Sequence, residues 1–83
     1  MNFEKCYNKK ICKWINDLIE IENILKKDKI NEDLKSVLWD KFKEIIDEYN
    51  ESYLELWENG RYDDMYKVDN MINIVYNDLI KLR

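Results

Sequence analysis

The residue pattern points to an all-α fold, an antiparallel bundle of three long helices over about 3–27, 32–58 and 62–82. Three observations carry this. The 83 residues include no Pro and one Gly, Gly60, so the many reversals of an all-β chain lack their turn formers. Charged residues make up 39% and apolar residues 46%. At helical period that mixture describes a bundle or coiled coil rather than a disordered chain. Apolar residues also recur at steps of three and four in three series separated by two breaks. The length suits one domain, 1–83, with a modest core.

The first series is Phe3, Tyr7, Ile11, Trp14, Leu18, Ile21 and Leu25, widened by Cys6, Ile15 and Ile24 into a core-facing stripe. Glu4 suits the positive N-terminal end of this helix, and Lys26, Lys27 and Lys29 suit its negative C-terminal end. Asp28-Lys29-Ile30-Asn31 forms the first break. Asn31 is a good N-cap, and Glu32 and Asp33 follow in the first turn of the next helix.

The second series is Leu34, Leu38, Phe42, Ile45, Tyr49, Tyr53 and Leu56, flanked by Val37, Trp39, Ile46 and Trp57. A helix over 32–58 is about 40 Å long. Asn50 and Ser52 are weak helix formers, which leaves room for a kink near 50–52. Asn59-Gly60 ends the helix, because Gly tolerates the left-handed backbone just past a helix end.

The stretch Gly60-Arg61-Tyr62-Asp63-Asp64-Met65 is similar to the turn inside a tetratricopeptide hairpin, where a Gly closes one helix and a Tyr packs as the next begins. The likeness covers six residues, and no repeat of that family's period follows. It implies a tight antiparallel hairpin. The third series is Met65, Val68, Ile72, Val75 or Tyr76, Leu79 and Leu82. Asp63 and Asp64 stand at its start, Lys81 and Arg83 at its end.

Ala, Thr, Gln and His are absent, while Ile, Lys, Asn and Tyr are abundant. These preferences follow AT-rich codons and indicate a natural chain from an AT-rich bacterial or phage genome. The net charge is −4 and is unevenly spread: residues 1–29 carry +2 and residues 30–83 carry −6. An acidic surface repels phosphate, so direct nucleic-acid binding is not expected. Such a surface suits the basic groove of a nucleic-acid-handling protein instead. The lysines Lys5, Lys9, Lys10 and Lys13, with Tyr7 and Trp14, locally resemble a nucleic-acid reader, but under this net charge they fit solubility or pairing with the acidic helix better.

The N-terminal residues lack the apolar core of a signal peptide, and no apolar run has the length of a membrane span. A cytoplasmic location without membrane contact is expected. Cys6 and Cys12 lie about 240° apart around a helix and do not pair within it; reduced thiols are expected.

Catalysis is not expected. Acid–base chemistry by paired carboxylates requires a pocket that shifts their pKa values, and a thin bundle offers little concavity. The chain has no His to serve as base or metal ligand and no Gly-rich phosphate loop. No cofactor or metal is expected. Ser36-x-x-x-Asp40 resembles the signature of small two-helix sporulation phosphatases, but the hydrophobic register after Asp40 departs from theirs, and that activity is not carried over.

One charged feature stands out. Asp40, Glu44, Asp47/Glu48, Glu51, Glu55 and Glu58 follow one another at helical spacing, and no Lys or Arg lies between Glu44 and Glu58. Like charges at i,i+4 cost roughly 0.2–0.5 kcal/mol per pair, so the stripe is expected to meet positive charge elsewhere. Three readings compete: a solvated face, pairing with Lys5, Lys9 and Lys13 of the first helix, and a docking surface for a basic partner. Trp14, Trp39, Trp57 and six tyrosines are many for a core this small. Trp39 and Trp57 are eighteen residues, or five turns, apart and share one angular position.

The expected partner-binding set is therefore Asp40, Glu44, Glu48, Glu51, Glu55 and Glu58, with Trp39, Trp57 and Tyr53 as apolar anchors. The expected function is that of a small acidic binding protein that inhibits a larger basic partner, a nuclease or nucleoprotein complex, by occupying its surface. Short, acidic, motif-free chains from AT-rich genomes are often phage or mobile-element inhibitors of host defences, anti-CRISPR proteins included. That likeness is one of genre rather than of sequence. The alternatives are a structural or oligomerising helical module, such as a homodimer, and an immunity or antitoxin-type binding protein.

Overall fold

The computed structural model describes residues 2–27 and 29–82, with side chains from Lys9 onward. The side-chain roles expected of Phe3, Glu4, Lys5, Cys6 and Tyr7, and the roles of Asp28 and Arg83, fall outside what it describes. Three helices follow in order: α1 (Asn2–Lys27), α2 (Glu32–Glu58) and α3 (Tyr62–Ile80). They form an all-α bundle with principal extents of 43 × 18 × 17 Å.

Side-chain pairs fix the directions. Trp14 of α1 meets Tyr49 of α2 with ring centroids 5.6 Å apart, while Glu20, further along α1, meets Lys41 at 3.4 Å. Rising numbers on α1 thus face falling numbers on α2. Likewise Tyr49 reaches Met65, and Phe42 stacks on Tyr76 at 6.3 Å. Each neighbour in sequence is antiparallel, so α1 and α3 run parallel.

The core is built from one stripe of each helix. Ile11, Trp14, Leu18 and Ile21 come from α1; Leu38, Phe42, Ile45, Tyr49 and Leu56 from α2; Met65, Val68, Val75 and Leu79 from α3. Each fully buried aliphatic side chain contributes about 1.5–3 kcal/mol relative to an exposed position. Ile15, Ile24, Leu25, Leu34 and Ile72 close the edges.

The helix ends have local causes. The Asn31 side chain accepts from the Leu34 N–H at 2.7 Å and caps α2. At the other end the Arg61 N–H donates to the Leu56 carbonyl and the Gly60 N–H to that of Trp57, at 3.0 and 3.1 Å. With Gly60 at φ 69°, this is a Schellman stop. Tyr62 then packs edge-on against Trp57 at 6.3 Å, closing a tight α2–α3 hairpin.

Four expectations are refined. α2 runs unbroken through Asn50 and Ser52, since the tertiary contacts on both sides of these weak helix formers outweigh their propensity. On the core face Ser52 takes the position assigned to Tyr53: Ser52 is buried and Tyr53 is 44% exposed. The step of three from Tyr49 points inward there, and Tyr53 packs edge-on against Tyr49 from outside, at 5.8 Å. On α3, Val75 is the core residue and Tyr76 lies at its edge. That helix stops at Ile80 rather than residue 82, where the Leu82 N–H bonds to the Leu79 carbonyl in a closing turn at 3.2 Å; Leu82 still packs on the core.

Candidate binding surface on the second helix

With its core stripe turned inward, α2 presents carboxylates on its outer side. Asp40, Glu44, Asp47, Glu51, Glu55 and Glu58 are exposed. Six charges between residues 40 and 58 occupy about 27 Å of helix axis at 1.5 Å per residue. That is roughly one charge per 5 Å, about a third of the linear density of duplex DNA. The spacing lies within the physiological Debye length of about 8 Å, so neighbouring carboxylates act on an approaching cation together.

Glu48 behaves differently. It is half-buried and turned toward α1, where its Oε1 accepts from the Trp14 indole Nε1 at 3.0 Å. Lys13 Nζ stands 4.0 Å from the same oxygen. A buried indole N–H requires an acceptor, and Glu48 supplies it. Among the described residues it is the stripe acid within 4.0 Å of a lysine ammonium. Lys10, Lys13, Trp14, Glu48, Glu51 and Ser52 line a shallow groove of about 330 Å³ between α1 and α2. Glu51 thus stands on the rim of a groove it shares with Lys10 and Lys13 as well as on the outward side of α2.

The aromatic anchors occupy the opposite flank of α2, along its seam with α3. Trp39 is half-buried and packs edge-on against Phe42 and Tyr76, at 6.0 and 6.1 Å. Trp57, at the other end, is 53% exposed and touches Tyr62. The shared angular position thus places both on α3 tyrosines, but Trp39 closes the core edge while Trp57 stands open to solvent. Tyr53 lies on Trp57's flank, one turn before it.

Sequence reasoning passed over Leu54, which is 66% exposed between Tyr53 and Glu55. Its signal was available: an apolar residue two positions out of phase with Leu56. Tyr62 and Tyr66, at the start of α3, are exposed too. Tyr53, Leu54 and Trp57 thus share the last two turns of α2 with Glu51, Glu55 and Glu58. Apolar contact area and negative charge coincide at this end of the bundle. Among the described residues, no group of three or more His, Cys, Asp or Glu is placed to hold a metal ion, and no helix is long and apolar enough to cross a membrane. Compared with family models, curated proteins and solved structures, the chain matches none of them.

Proposed function

We propose that this chain is a binding protein that blocks a larger, basic, nucleic-acid-handling partner by laying the outer face of α2 on its cationic surface. The observation that carries the reading is the exposed run Glu51, Glu55, Glu58 beside the exposed Tyr53, Leu54 and Trp57. Opposite charge steers the encounter and raises the association rate. At a third of the charge density of duplex DNA, the stripe alone is a weak competitor for a nucleic-acid groove, so the aromatic anchors must slow dissociation. In genre this is a phage-type anti-defence inhibitor, of the anti-CRISPR kind, that acts by occupancy and not by catalysis.

The test begins with retention of bacterial lysate proteins on the immobilised chain and their identification by mass spectrometry. The identified partner is then challenged with nucleic acid in competition. Glu51/Glu55/Glu58→Lys is the informative variant, because it spares Glu48 and hence the Trp14 hydrogen bond. With its helicity unchanged, it should lose competition by more than tenfold, and wild-type affinity should weaken as salt rises. Undiminished competition by this variant, or affinity indifferent to salt, rejects the mechanism.

A second reading, a self-associating helical module, draws on apolar side chains exposed away from α2: Ile19 of α1, and Tyr66 and Ile74 of α3. Sedimentation of the free chain decides it; a monomer at high micromolar concentration removes this alternative.

A further inference from the structure

Away from α2, an acid is enclosed in the packing of α1. Glu22 is 6% exposed, one helical turn past Leu18 and in phase with Trp14 and Leu18. Among the described residues, neither of its carboxyl oxygens meets an N–H or hydroxyl donor. The group within hydrogen-bonding reach is another carboxyl, that of Asp78 on α3. Two cations act on Glu22: Lys26 of α1, and Lys81, just past the end of α3, whose Nζ is 3.8 Å from Asp78. Among the described residues no charge of α2 acts on Glu22.

Two adjoining carboxylates, one of them enclosed, do not both stay ionised at reasonable cost. A divalent cation is one remedy, but two carboxyl groups are few ligands for an ion that takes about six oxygens. The flanking ammonium groups also repel it. A proton meets every requirement, because a protonated carboxyl becomes the donor that the other carboxylate lacks.

We propose that Glu22 and Asp78 hold one proton between them, forming a carboxylic acid–carboxylate clasp that ties α1 to α3 and opens when the proton passes to solvent. Burial first, and Asp78 second, raise the Glu22 carboxyl from 4.5 to about 7. Between those two pH values the folded chain keeps a proton that the unfolded chain has released. Stability contributed by the clasp is therefore full below about pH 4.5 and is lost as pH rises through about 7. This is opposite in sign to the behaviour of a salt-bridged carboxylate.

The decisive measurement is a carboxyl-carbon NMR titration of the full chain from about pH 4 to about pH 9, with thermal unfolding followed over the same range. A Glu22 resonance with its midpoint near neutrality is expected, and Tm should fall across the same interval. Glu22→Gln, whose amide donates without ionising, should lose the fall in Tm centred near neutrality and unfold above wild type at alkaline pH. Asp78→Asn should bring the Glu22 midpoint down. If the wild-type Glu22 carboxyl titrates in the ordinary range below about pH 5, the clasp does not exist. That measurement needs no variant, so a Glu22→Gln chain that fails to fold leaves the proposal equally open to refutation.

Discussion

Tyr49 joins two helices through a single hydroxyl. It is buried on α2, and its O–H donates to the Met65 carbonyl of α3 at 3.2 Å. Burial first, and the nearby Asp69 carboxylate second, hold the phenol protonated well above the ordinary tyrosine range. Tyr49→Phe keeps the ring against Trp14 and Tyr53 but removes the donor. It should cost about 1 kcal/mol, read from the urea midpoint. Single residues also show where a one-dimensional reading stops. Trp14, Leu18 and Phe42 were legible as core because each sits mid-stripe, flanked by apolar residues three and four away. Ser52 and Glu22 were not, since polarity argues against burial while position alone decides it. Val75 and Tyr76 stood as alternatives until the rotation of α3 against α2 fixed which one faces inward.

The strength of α2 as an element lies in its two ends. Asn31 caps the first turn, and the Gly60 stop satisfies the last carbonyls. A Cβ placed on Gly60 would meet nothing within 4 Å, so the cost of a side chain there is purely conformational. Gly60→Ala should destabilise by about 1–2 kcal/mol through the left-handed backbone, and Gly60→Asn by less; thermal unfolding of the pair separates the two effects. Both ends of α2 were readable because caps are local chemistry. The end of α3 was harder to place, as neither Gly nor Pro marks it and the closing turn at Lys81 and Leu82 rests on backbone bonds that any sequence can make. α2 runs on through Asn50 and Ser52 for a related reason: propensity is a weak preference, and packing on α1 and α3 overrides it.

Across the whole bundle, chemistry is sorted by flank. Mixed charge lines the α1–α2 groove, carboxylates cover the outside of α2, and aromatic rings follow the α2–α3 seam. The acidic stripe itself was evident from spacing. Its division into Glu48, bonded to Trp14, and six outward acids was not, because that depends on how α1 is rotated against α2, a relation no single helix encodes. The same sorting spreads the three indoles over three depths. Trp14 is 2% exposed, Trp39 is intermediate, and Trp57 stands in water beside the carboxylates. The chain therefore carries an intrinsic optical reporter at the proposed contact. Acrylamide should quench chiefly the red edge of the emission, which Trp57→Phe should abolish. Iodide, repelled by the surrounding carboxylates, should quench that component far less at low salt. A partner seated on α2 should shift it to the blue while leaving the deep Trp14 signal unchanged, giving a label-free titration of complex formation.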